Sequence, residues 1–270
     1  MTAALAILAG LLIGSFLNVC VFRLPRELSV VRPRSFCPAC EKMIAWYDNI
    51  PVVSYIVLRA RCRHCGERIP LRYPVVELAT AAAFGVCVAA LGVTLAGLKY
   101  AIFSAILITL IASDSEERIL PDEFTLGGIA IGLGFSAFVP LDPGFAYLLL
   151  PFSAGMRWRS VGESVLGTAA ALLLWLVGWA YQKLRDREGL GLGDVKMIAM
   201  IGAFLGLKLT LLTLIAASLA GSIGGLIYIF AARKDMSTYE LPFGSFLGMA
   251  ALGVAMFGKV VTVWYSRLGR

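Results

Sequence analysis

Ala101-Ile-Phe-Ser-Ala-Ile-Leu-Ile-Thr-Leu-Ile-Ala112 runs through Ser113 into Asp114-Ser-Glu-Glu-Arg-Ile-Leu-Pro121-Asp122. The apolar run reads as a membrane helix, and the acidic stretch behind it as its interfacial end. An ionised carboxylate at membrane depth costs several kcal/mol unless it is paired, so Asp114 is read as a functional residue. A second carboxylate has the same character. Asp194 closes Gly189-Leu-Gly191-Leu-Gly193-Asp194 and opens the next apolar helix. Two such residues on separate segments, each beside residues that loosen the backbone, predict a pair that meets in space. Paired carboxylates that share one proton activate water.

The rest of the chain agrees with a membrane setting. It is 59% hydrophobic and 15% charged, with a mean hydropathy of +0.84. A soluble domain carries about 25% charged residues. Apolar runs recur at 3–22, 74–91, 98–112, 124–139, 161–181, 195–209, 211–232 and 243–264. They predict an all-α polytopic membrane protein of eight transmembrane helices, the shorter ones tilted or ending in protein-lined water. The first run lacks a basic n-region and an A-x-A-like site, so it is expected to remain as the first span. The sequence divides into a first transmembrane helix (1–22), a cytosolic loop (23–73) and a transmembrane core (74–270).

Ten of the Lys and Arg residues fall between Arg23 and Arg72. Positive loops stay cytoplasmic, which places this segment and Asp114 on the cytosolic side. The 182–193 loop and Arg233/Lys234 return to that side, and Lys99, Arg157, Arg159 and Lys208 fall in the opposite turns. The positive-inside pattern accounts for the net charge of +7 without a nucleic-acid partner. Trp46, Tyr47 and Tyr55 also lie apart from the arginine clusters, unlike a base-stacking groove. The expected surroundings are lipid.

The cytosolic loop carries Cys37-Pro-Ala-Cys40 and Cys62-Arg-His-Cys65. Two Cys-x2-Cys knuckles at this spacing suit a tetrahedral zinc ion held by four thiolates, with no position left open for water. A loop of this size cannot rely on its own core, so a structural metal has a clear task. His64, the only histidine, reads as a solvated knuckle residue, and Cys20 and Cys87 read as small buried hydrophobes.

Pro121 cannot continue a helix, so Asp114 lies at a helix end. Asp122 reads as the N-cap of the next helix, and Glu116 and Glu117 as solvated. Around Asp194, the glycines at 189, 191 and 193 let a peptide approach the backbone, and the helix N-terminus favours an ionised carboxylate. Lys196 either tunes that carboxylate or reaches to lipid headgroups. One ionised and one protonated carboxylate suffice for attack of water on an amide.

Gly-x-Gly-Asp at 191–194 and Asp-x6-Pro-Asp at 114–122 resemble the GxGD aspartic peptidases of membranes. Further landmarks narrow the resemblance to the bifunctional type IV prepilin peptidases: Gly14-Ser-Phe-Leu-Asn-Val-Cys-Val-Phe-Arg-Leu-Pro25, the cysteine loop, Leu71-Arg-Tyr-Pro-Val-Val-Glu77 and Leu241-Pro-Phe-Gly-Ser-Phe246. The resemblance covers about residues 10–255. It implies an enzyme of the bacterial inner membrane that cuts the leader from prepilins or pseudopilins at the cytosolic face. It also implies methylation of the new N-terminal amine from S-adenosylmethionine. Carried over residue by residue, the catalytic pair is Asp114 and Asp194, supported by Gly191, Gly193, Lys196 and Pro121. The zinc ligands are Cys37, Cys40, Cys62 and Cys65. The methyl-transfer residues are Asn18, Arg23, Arg59, Arg72 and Glu77.

Two other readings fit parts of the sequence. One is a peptidase alone, with a zinc loop that supports docking. The other is a proton-coupled transporter, which predicts an internal repeat with broken helices at matching places. The Asp114 and Asp194 neighbourhoods do not match each other in that way.

Overall fold

Apolar stretches that must satisfy every backbone N–H and C=O without water can only become helices or closed barrels, and this chain chooses helices. The computed structural model describes residues 1–142, 144–148, 150–151, 153–185, 191–232 and 242–268. The helices are α1 (Thr2–Arg23), a short α2 (Val53–Val57), α3 (Arg72–Leu91), α4 (Leu95–Glu117), α5 (Asp122–Ser136), α6 (Met156–Arg185), α7 (Leu192–Ala232) and α8 (Phe243–Leu268). Among the described residues there is no strand, only the isolated bridges Phe36–Met43 and Arg61–Arg68. Among the described residues, five helices are long and apolar enough to cross a membrane: α1, α3, α4, α6 and α7. This is a multi-pass membrane protein.

Seven of the eight predicted apolar runs fall within helices and the run at 124–139 outlasts α5 by three residues, but the eight runs give only five clear crossings. α5 has 15 residues, and the apolar part of α8 covers Phe243–Gly258. The runs at 195–209 and 211–232 share α7, whose 41 residues are interrupted at Gly206 (φ 78°, ψ 171°). That left-handed φ is one glycine adopts at no steric cost.

The chain divides into two compact units, Met1–Glu117 and Arg118–Arg270. In the first, α1 and α3 pack antiparallel through small residues. A Cβ added at Gly10 would lie 2.6 Å from Ala81 Cα, and one at Gly14 would lie 2.7 Å from Glu77 Cα. One turn on, Asn18 Nδ2 donates to Tyr73 O at 3.0 Å. Without water to drive association, close backbone approach and side-chain hydrogen bonds hold such helices together. Lys99, expected in a turn, lies instead within α4 and is fully buried.

In the second unit, α6 and α7 meet at paired glycines. A Cβ at Gly202 would lie 2.2 Å from the Gly167 carbonyl carbon. Ser164 Oγ donates to Ala203 O at 2.6 Å beside them. The obstacle at Gly202 is backbone, which cannot swing aside. Gly202→Ala is therefore expected to destabilise the protein by about 3 kcal/mol or more, at the top of the overpacking range. Gly134→Ala, with nothing within 4 Å of the new methyl, should leave the melting temperature in detergent unchanged or higher. Equal melting temperatures for the two variants would contradict this packing.

Candidate functional site

The cysteine loop folds as two copies of one hairpin. Cys37 N–H donates to Lys42 O at 3.0 Å and Glu41 N–H to Cys37 O at 2.8 Å; Cys62 N–H donates to Glu67 O at 2.8 Å and Gly66 N–H to Cys62 O at 3.0 Å. Ile44 N–H to Ser35 O and Ile69 N–H to Ala60 O close the two hairpins, each at 2.8 Å. The residue after each second cysteine turns left-handed: Glu41 at φ 56° and Gly66 at φ 74°. The repeat brings Cys37, Cys40, Cys62 and Cys65 together, with all four sulfurs within 4.8 Å of one another. Zinc–sulfur bonds of about 2.3 Å in a tetrahedron put sulfurs about 3.8 Å apart. Cys37 and Cys65 Sγ are 3.8 Å apart. The donor set fits a structural zinc ion.

The thiols differ in character. Backbone N–H groups of Cys65 and His64 bring the Cys62 thiol down to about 7, against an opposing burial effect. At Cys65 the Glu67 N–H pulls the other way, yet burial and the neighbouring sulfurs leave that thiol pushed up to about 12. Arg63, between the cysteines, is clamped onto Asp48 at 2.7 and 2.6 Å. That hydrogen bond and the arginine charge hold the Asp48 carboxyl below its usual range. His64 is exposed, and Cys20 and Cys87 are buried, as read from the sequence.

Between this loop and the α1–α3 helix wall lies a cavity of about 430 Å³. Four of the five residues assigned to methyl transfer line it: Asn18, Arg23, Arg72 and Glu77. Arg59 does not; it is exposed in a Leu58–Arg61 turn whose central residues both have positive φ. Arg23 is 3% exposed, and its guanidinium is committed to the carbonyls of Ser29, Pro33 and Arg34. It shapes the wall by holding the chain that leads into the first knuckle. Glu77, 6% exposed, accepts from Val52 N–H at 2.7 Å. Val52 sits at φ 61°, an uncommon conformation for a β-branched residue, and this aims its amide at Glu77.

Asp114 lies near the end of α4 and is 6% exposed. Just beyond it, Glu117 pairs with Arg26 at 2.5 Å, and Glu116 pairs with Arg72. The expectation that both glutamates are merely solvated is corrected: they tie the end carrying Asp114 to the residues after α1 and to the start of α3. Each pair is partly exposed, so its role is positional more than energetic.

Asp194 stands half-buried in the first turn of α7. Gly191 is exposed just ahead of it, and a Cβ there would lie 3.7 Å from Asp194 Oδ2. Gly193 packs on Leu120, 3.3 Å from an added Cβ. Pro121, not Asp122, occupies the N-cap of α5, and no side chain caps it. The capping role expected for Asp122 is thus corrected. Its carboxylate lies one position into the helix and holds Lys196 Nζ at 2.7 and 2.8 Å. Lys196 is therefore tied to protein and not to headgroups. Gly189, Arg187, Arg233, Lys234 and Leu241 lie outside the described residues.

One polar residue escaped the sequence reading. Glu163, 1% exposed in α6, accepts from Phe145 N–H at 2.9 Å and Lys208 N–H at 3.5 Å, beside the break at Gly206. A glutamate inside an otherwise apolar run was the available signal.

Comparison with known proteins agrees with both halves of this description. Residues 8–91 match the model of the bacterial peptidase A24 N-terminal domain. Residues 101–226 match that of the type IV leader peptidase family. A Myxococcus xanthus prepilin leader peptidase/N-methyltransferase is 37% identical over 229 residues, covering 83% of this chain and 62% of the relative. Relatives of the same name from Aeromonas salmonicida (32% identical, 97% of this chain, 93% of the relative) and Burkholderia pseudomallei (34%, 100% and 89%) align nearly end to end. No solved structure gives a significant match. With relatives above 30% identity over most of both chains, the chain belongs to the type IV leader peptidase family.

Proposed function

We propose that this protein cleaves the leader peptides of type IV prepilins or pseudopilins and methylates the new N-terminal amine. The observation that carries the reading is the match of both its regions, residues 8–91 and 101–226, in a chain aligned nearly end to end with relatives named for the two activities. The catalytic pair is Asp114 and Asp194, both inside the family match and both at helix ends. One carboxylate, ionised, takes a proton from water as its oxygen attacks the scissile carbonyl. The other, protonated, gives its proton to the departing amide nitrogen. Gly191, Gly193 and Pro121 loosen or end the chain around these carboxylates, and Lys196, two residues after Asp194, is held by Asp122.

The division of labour follows the sequence: first span 1–22, zinc loop 23–73, peptidase core 74–270. Eight spans are completed by α5, by α8 and by separation of α7 at Gly206. The basic loop then faces the cytosol of a bacterial inner membrane, and leader junctions meet Asp114 and Asp194 there. S-adenosylmethionine, when bound, supplies an electrophilic methyl group. The loop cavity suits it, because carboxylates, arginines and apolar side chains such as Phe22, Phe36 and Tyr55 share one lining. Asn18, Arg72 and Glu77 would contact it, Arg23 would shape its wall, and Arg59 would act from outside.

The test is incubation of the detergent-solubilised protein with a prepilin precursor, followed by sequencing of the product. A new N-terminus directly after the leader glycine supports the reading; an intact precursor contradicts it.

The zinc assignment has its own test. Cys65 keeps its proton at neutral pH until metal displaces it, so zinc uptake releases that proton. Below about 12 each pH unit upward favours uptake, and apparent affinity should rise at least about tenfold between pH 6 and 7. Chelator competition measures this. A pH-independent affinity would contradict thiolate ligation.

A further inference from the structure

Asn18 is 1% exposed, and its amide orientation is fixed by chemistry. Nδ2 donates to the carbonyls of Gly14 (3.3 Å) and Tyr73 (3.0 Å), both of which can only accept. The remaining atom, Oδ1, is a buried acceptor with no hydrogen-bond partner among the described residues. Such an oxygen forfeits the water it would otherwise bind and is rare in folded proteins.

Two further groups on the same cavity share this incompleteness. Glu77 receives Val52 N–H and the Ser15 side chain, but no cation among the described residues pairs with it. A buried carboxylate without a cation is costly at a membrane boundary. Arg72 binds Glu116 through one terminal nitrogen, while its Nε has no partner. The three are neighbours in the α1–α3 packing. Asn18 faces Tyr73, Arg72 is the next residue back along α3, and Glu77 lies one turn further on. All three line the cavity.

The set therefore offers an unfilled acceptor, an uncompensated negative charge and an unfilled cationic donor. We infer that Asn18, Glu77 and Arg72 form a receptor for an α-aminoacyl group, with the ammonium on Asn18 Oδ1 and the Glu77 carboxylate and the adjoining carbonyl or carboxylate oxygen on Arg72 Nε. The inference rests on the methyl-transfer reading of this cavity and names its recognition chemistry. Two ligands carry such a group: the amino-acid end of the methyl donor, and the first residue of a freshly trimmed substrate.

The experiment uses the full chain in detergent and two probe pairs. The first is S-adenosylhomocysteine and its deaminated analogue. The second is a peptide with free N-terminal phenylalanine and its N-acetyl form. Dissociation constants are measured for wild type, Glu77→Gln and Asn18→Leu. The expected result is that wild type prefers the amine-bearing member of one pair, and that each variant reduces this preference at least tenfold while the amine-free member binds as before. Discrimination in the nucleoside pair assigns the site to the donor; discrimination in the peptide pair assigns it to the trimmed substrate. Equal weakening of both members, or an unchanged preference, overturns the receptor while leaving the cavity reading in place. A wild type that binds none of the four probes overturns both.

Discussion

Asp114→Asn and Asp194→Asn are each expected to reduce leader cleavage by about a thousandfold or more. Asparagine matches aspartate in shape and can accept the same hydrogen bonds, but it cannot exchange a proton. A positioned acid or base contributes about 10²–10⁴ in rate, and groups that act as a unit fail together when either is lost. The double variant should accordingly be no slower than the slower single variant. Zinc content and melting temperature should stay at wild-type values, since neither carboxylate lies in the cysteine loop. Loss of cleavage with loss of fold would say only that a buried aspartate was structural. Appreciable cleavage by either variant would mean that the reacting pair lies elsewhere.

The second large effect concerns the metal. Replacing Cys37 and Cys62 by serine removes one ligand from each knuckle, and metal content should fall from one zinc per chain to none. Apparent zinc-binding free energies in small thiolate sites are about 10–16 kcal/mol and appear as folding energy. The duplicated hairpins have no apolar core of their own to replace it: turn hydrogen bonds, the Arg63–Asp48 pair and the contacts of Arg23 and Phe22 with the first hairpin are what remains. Cys37 and Cys62 also line the cavity, so methyl transfer should vanish with the metal. Cleavage, assigned by the proposal to carboxylates outside the loop, should persist. Metal analysis of purified protein, with both activities measured in parallel, checks this. Full methyl transfer in a zinc-free variant would contradict the structural role.

Much of this was legible in the sequence because membrane and metal chemistry write local signals. An apolar run must become a helix in lipid, and two Cys-x2-Cys turns present four sulfurs whatever surrounds them. The cysteine cluster therefore reappears as read, and the apolar runs reappear as helices, although not as eight separate spans. What the sequence hid were partners distant along the chain. Asp122 follows a proline as a helix cap would, yet its carboxylate meets Lys196, a residue 74 positions on. Glu116 and Glu117 look like surface charges until Arg72 and Arg26 arrive from other elements. Gly206 interrupts α7 four residues before the boundary that the two apolar runs suggest, and Glu163 meets its Lys208 N–H partner only beside that break. Arg23 and Arg59 look equivalent as loop cations, but one is fully committed to backbone carbonyls and the other faces solvent.

The most direct measurement is the mass of the product released when wild-type protein meets a prepilin precursor with and without S-adenosylmethionine. The account predicts loss of the leader in both reactions, and a gain of one methyl group on the new N-terminus only when the donor is present. Cleavage that never yields a methylated product would contradict the methyl-transfer half. A precursor left uncut in both reactions would contradict the claim that this chain is a leader peptidase.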